Sequence, residues 1–197
     1  ALSAAATDPE VRAIRLRGSG RAFCAGRDVS AAPTERDLEL VQAVSRAIVA
    51  HRCPVIAAVH GWTVGAGFEW MMNADIVVAA TDTRFKLPEA SLGVFVTGGL
   101  VATLPAAIGP MRAKALTLLG EPFDGVQAQA WGLVHRCVPA ASRSSKTNNC
   151  TVTATARSRK KSAPCTSGCR TAARRCSPVI TWPASTRRPR SISRWPA

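Results

Sequence analysis

With 197 residues and a composition that is 47% hydrophobic, the chain can bury one sizeable core or two small ones. Its formal charge of +14 is unevenly placed: residues 1–140 carry 13 basic and 12 acidic side chains, and residues 141–197 carry the other 13 basic ones and no acid. The body is therefore near neutral, which excludes reading it as a polyanion binder on net charge, and only the last stretch is a polycation.

The chain begins ALSAAATDPEV, without a basic leader or a long apolar run, so no secretory signal is expected and cytoplasm is the default. Seven cysteines, with Cys24, Cys53 and Cys137 in no paired spacing, point to a reducing compartment. Asp8-Pro9 predicts a turn, and Val11 to Arg17 an imperfectly alternating strand closed by Gly18-Ser19-Gly20. Phe23-Cys24-Ala25-Gly26-Arg27-Asp28 follows as a tight segment whose small residues let a ligand approach the backbone. By itself it reads as an ordinary loop.

Pro33-Thr34-Glu35-Arg36-Asp37 predicts a helix start, with Thr34 as the cap and Asp37 as its capping-box partner. Leu38, Val41, Val44, Ser45, Ile48 and Val49 then form one helical face, and His51 is expected at the surface beyond the helix end. Val55-Ile56-Ala57-Ala58-Val59 reads as a buried strand after Pro54. It feeds His60 to Asp75, HGWTVGAGFEWMMNAD, where Gly65-Ala66-Gly67 turns the backbone and a helix carries the single carboxylate Glu69 among apolar neighbours. The first NH groups of such a helix have no internal partner and suit an anionic oxygen.

Asp75 to Ala80 predicts a second buried strand, so strand and helix alternate as in an α/β fold. Glu89 follows Pro88 in a turn or extended setting. Ala90 to Met111 is free of charge for 22 residues, but its glycines, threonines and prolines argue for a buried loop and helix over a membrane span. A helix from Thr97 to Gly109, another from Met111 to Gly120, a short one capped by Asp124 and a strand within Leu133 to Val138 complete the body.

From Ser142 onward there is no Leu, Phe or Met, and Ser, Thr, Pro, Lys and Arg dominate, so residues 141–197 are expected to be disordered. Cys165, Cys169 and Cys176 have no His nearby, which argues against zinc, and no metal site is expected. Basic residues with Trp182 and Trp195 could hold nucleic acid through phosphates and stacking. Out-of-frame translation of a GC-rich gene gives the same composition and is the preferred reading of this tail.

Three features stand in order: the FCAGRD segment, the GAG turn followed by Glu69, and Leu87-Pro88-Glu89. Together they resemble the crotonase superfamily, specifically the enoyl-CoA hydratases, over about residues 8 to 139. The resemblance implies a spiral of ββα repeats over residues 1–140, starting after the family's first hairpin and lacking its C-terminal helices. It also implies backbone NH donors at Arg27 and Ala66 for a thioester oxygen, catalytic glutamates at Glu69 and Glu89, and coenzyme A contacts at Ala25 and Gly26. An acyl-CoA substrate, no separate cofactor and a homotrimer or hexamer come with it. Two departures are the Ala66 in place of a glycine and Phe95-Val96-Thr97-Gly98-Gly99 in place of a Pro-Gly-x-Gly-Gly run, and they leave acyl chain length open. An isomerase or acyl-CoA hydrolase on the same scaffold, a nucleic-acid-binding tail and an inactive fragment are the competing readings.

Overall fold

The computed structural model describes residues 1–27 and 34–140, together with the backbone of strands 150–156 and 180–181. Asp28, Pro33 and the tail cysteines Cys165, Cys169 and Cys176 lie outside the described residues. In chain order the elements are α1 (Leu2–Thr7), β1 (Val11–Gly18), α2 (Glu35–Val49), β2 (Val55–Val59), β3 (Trp62–Val64), α3 (Ala66–Met72), β4 (Ile76–Ala80) and β5 (Arg84–Lys86). A 3-10 turn (Ala90–Leu92), α4 (Leu100–Ile108), α5 (Pro110–Leu119), β6 (Phe123–Asp124), α6 (Gly125–Ala130), β7 (Arg136–Val138), β8 (Cys150–Ala156) and β9 (Ile180–Thr181) follow.

The apolar runs form the middle of a sheet ordered β7-β4-β2-β1-β8-β9, in which β7, β4, β2 and β1 are mutually parallel. The register sets Ile14 beside Val55 and Ala57 beside Val77. Val55, Ala57 and Val59 alternate as buried positions along β2, which is the period of a strand with one face on a core. A second sheet, β3-β5-β6, carries Thr63 and Phe85, both fully buried. Phe68 of α3 meets Phe85 and Phe123 of this second sheet edge-on at centroid distances of 5.8 and 5.9 Å, and Phe85 stacks on Phe123 at 5.2 Å. Truncating Phe68 to Ala is expected to cost about 3–5 kcal/mol by chemical denaturation, because its ring is fully buried and the cavity has rigid walls.

The caps read from the sequence are present. Thr34 Oγ1 accepts from Asp37 N at 3.2 Å, Thr34 N donates to Asp37 Oδ2 at 2.9 Å, and Asp124 with Gln127 repeats the capping box at α6. Hydrogen bonds hold the Asp37 carboxyl below the ordinary carboxylate range, those from the Thr34 backbone foremost. On α2 the buried stripe is narrower than predicted: Ser45 and Ile48 are buried, whereas Leu38 and Val49 are exposed. His51 is half-buried rather than at the surface, its Nδ1 accepting from Cys53 N at 3.1 Å.

The tail departs from the expected disorder at two places. Cys150–Ala156 pairs antiparallel along the whole of β1, with Arg15 opposite Thr153, and Ile180–Thr181 pairs onto that strand. The physical reason is local: Thr151-Val152-Thr153-Ala154-Thr155 is rich in β-branched residues, and β1 offers an open edge whose NH and CO groups need partners. Ala90 to Met111 resolves into the 3-10 turn, a loop, α4 and the start of α5, broken at Gly109. Among the described residues no helix is long and apolar enough to cross a membrane.

Candidate active site

Residues 23–27 run beside β3. Phe23 N donates to His60 O at 2.8 Å, Val64 N donates to Cys24 O at 2.9 Å, and Cys24 pairs with Thr63 in a parallel bridge. Parallel pairing sends both chains the same way, so Ala25-Gly26-Arg27 and Val64-Gly65-Ala66 leave the bridge at one end. Gly67 lets them come together, since a Cβ there would lie 2.6 Å from both Cys24 Cβ and Cys24 O. Gly26, at φ +85°, passes close enough to Val64 that an added Cβ would sit 3.2 Å from its carbonyl oxygen. Burial pushes the Cys24 thiol up, with the Gly26 NH opposing, so the sulfur is protonated packing rather than a nucleophile.

Ala66 is the first residue of α3, where a backbone NH has no acceptor within the helix. Gly65 before it has φ +53°, and its NH donates to Lys86 O at 3.2 Å, which ties the turn to the end of β5. Three residues on, Glu89 caps the 3-10 turn and brings its carboxyl against the same glycine: a Cβ on Gly65 would lie 3.2 Å from Glu89 Oε1. Glu89 Oε2 is buried with no hydrogen-bond partner among the described residues.

Glu69, one turn into α3, is 3% exposed. Thr97 N donates to its Oε1 at 3.3 Å and Gly98 N to its Oε2, while Asn73 Nδ2 donates to Gly98 O at 2.8 Å. The loop before α4 is thus fastened to α3 by one carboxylate and one amide. Trp70 Nε1 donates to Val41 O at 3.3 Å and fastens α3 to α2.

Burial pushes both carboxyls above the ordinary glutamate value. For Glu69 the backbone NH groups of Gly98, Thr97 and Leu100 oppose it; for Glu89 its own backbone NH opposes it and the charge of Glu69 adds to it. A raised carboxyl favours the folded state while protonated, and that contribution fades as pH rises from the ordinary carboxylate range through the raised value. Glu89→Gln is therefore expected to unfold at a higher temperature than the parent at neutral pH, with the gap closing in acid. Equal melting temperatures across the range would contradict the burial of that charge.

Among the residues singled out in the sequence, Glu89 stands against Gly65 in the turn before Ala66, Glu69 lies close enough for its charge to act on Glu89, and Gly26 passes beside Val64. Ser45 and the Thr97 and Gly98 donors are the site's neighbours that motif reading did not assign; the signal was a serine in an otherwise apolar helical face. A separate cleft of about 280 Å³, lined by Met72, Asp75, Gly132 and His135 among others, contains neither glutamate. Among the described residues no cluster of His, Cys, Asp or Glu could hold a metal ion.

Residues 1–178 match the family model for enoyl-CoA hydratase/isomerase. The chain is 35% identical over 146 residues to the mevalonyl-coenzyme A hydratase SIDH of Beauveria bassiana, covering 67% of this chain and 52% of that protein. It is 36% identical to the 2,3-dehydroadipyl-CoA hydratase of Escherichia coli, covering 71% and 56%. The crystal structure of an enoyl-CoA hydratase from Bacillus anthracis superposes with a TM-score of 0.66 at 30% identity, over 70% of this chain and 56% of that one. The chain spans about half the length of the curated relatives it matches. It belongs to the enoyl-CoA hydratase/isomerase family and has the crotonase fold.

Proposed function

We propose that this site adds water reversibly across the 2,3 double bond of an enoyl-CoA thioester. The observation that carries the reading is a pair of buried carboxyls with raised proton affinity, near enough that the charge of Glu69 acts on Glu89, with Glu89 against the Gly65 turn. The backbone NH groups of Arg27 and Ala66 receive the thioester oxygen, and the Ala25 carbonyl and Gly26 backbone meet coenzyme A, which enters as part of the substrate. Charge that flows to that oxygen when hydroxyl adds at C3 meets donors already in place, a contribution typically worth about 100-fold or more per donor.

The two glutamates divide the proton work. Glu69, which accepts from Thr97 N and Gly98 N, takes a proton from the attacking water. Glu89 feels the negative charge of Glu69, has an Oε2 without a hydrogen-bond partner among the described residues, and gives its proton to C2. Oxygen ends on C3, hydrogen on C2, and the pair as a whole keeps one proton. A double-bond isomerase needs chiefly one base, so the second buried carboxyl favours hydration.

The test is the loss of enoyl-thioester absorbance with purified protein, followed by product mass. A gain of one water supports hydration; an unchanged mass would assign isomerisation, and release of free coenzyme A would assign hydrolysis.

A further inference from the structure

Ser45 is the buried polar group nearest the candidate site that the mechanism leaves unused. It sits on α2, is 5% exposed, and its Oγ has no hydrogen-bond partner among the described residues. A helical serine usually returns its proton to the carbonyl four residues back. Here that carbonyl, Val41 O, accepts from Trp70 Nε1 at 3.3 Å instead. The hydroxyl faces the loop before α4: a Cβ on Gly98 would lie 2.6 Å from Ser45 Oγ and 2.7 Å from Glu69 Oε2. Serine hydroxyl and glutamate carboxyl thus flank one bare Cα from opposite elements, and only glycine leaves room between them.

An isolated buried hydroxyl is costly, and a carboxylate is the strongest acceptor within its neighbourhood. Resting on the two-glutamate reading above, we infer that Ser45 is a positioning residue for Glu69, donating to its carboxylate across Gly98 when Glu69 is ionised. The donation joins those of Thr97 and Gly98 and holds the base in its charged form against burial. Glu89 is the titratable group facing Glu69. Neither α4 nor β3, both packed on α3, has a titratable residue, and Arg46, next to Ser45 on α2, is exposed.

Titrating the Glu69 side-chain carbon by NMR, assigned with Glu69→Gln, tests this in the full chain. Ser45→Ala is expected to raise the Glu69 midpoint by about one pH unit, the order expected for one hydrogen bond to a charged group. Ser45→Cys fills the same space but donates weakly, so it is expected to follow Ala. Under a packing role alone, Ala leaves the titration unchanged and removes only an unsatisfied hydroxyl, so stability holds or rises. An unchanged midpoint in Ser45→Ala, or a Ser45→Cys titration equal to the parent, overturns the assignment. The titration needs no turnover, so its failure is separable from a failure of the hydration assay.

Discussion

Glu69→Gln is expected to slow enoyl-CoA hydration by about 100-fold or more, the range in which a positioned acid or base normally acts. The amide keeps the size of the carboxyl but cannot take a proton, and its NH₂ would oppose one of the two NH groups that Thr97 and Gly98 aim at this side chain. Some slackening of the loop before α4 is therefore expected as well, visible as faster hydrogen exchange at those two amides. Glu89→Gln, whose Oε2 has no hydrogen-bond partner among the described residues and fastens no loop through it, is expected to lose rate without that loosening. Steady-state rates with exchange measured on the same preparations check both, and a Glu69→Gln enzyme as fast as the parent would remove Glu69 from the chemistry.

The second large effect comes from an uncharged methyl group. Gly67→Ala places a Cβ 2.6 Å from both the Cys24 carbonyl oxygen and Cys24 Cβ, and a backbone oxygen cannot swing aside. One of the two segments has to retreat, which separates Arg27 from Ala66. A displacement near 1 Å in a reacting constellation can cost about 100-fold, and overpacking of this kind typically costs about 1–3 kcal/mol of stability. Rate and denaturant midpoint together check it: a large fall in rate with a modest fall in stability is the expected pattern. A parental rate would mean that the two turns do not act as a pair.

The parts of the fold legible in the sequence were those set by local pattern. Val55–Val59 and Ile76–Ala80 are apolar runs of strand length, the capping box at Thr34 depends on a residue three further on, and Asp124 was readable as a cap. The short strands Trp62–Val64, Arg84–Lys86 and Phe123–Asp124 were not legible, because two or three residues carry no period and their pairing is decided by distant segments. The strand Cys150–Ala156 was hidden by composition: a stretch that looks unable to build a core can still add to the edge of one already built.

The site divides along the same line. Glu69 and the GAG turn announce themselves as a carboxylate among apolar residues behind a helix start. Glu89, in a turn after proline, has meaning only beside them. That the NH groups of Thr97 and Gly98 would point at Glu69, or that Ser45 would stand across Gly98 from it, depends on how α2, α3 and the loop before α4 stack, which no local spacing encodes.

The central claim is that Glu69 and Glu89 together handle one water. Incubating a short enoyl-CoA with the protein in oxygen-18 water and weighing the acyl product tests it most directly. The account predicts one labelled oxygen in the product of the parent enzyme and label uptake slowed at least about 100-fold in both Glu69→Gln and Glu89→Gln. An unlabelled product, or label entering either variant at the parental rate, would contradict it.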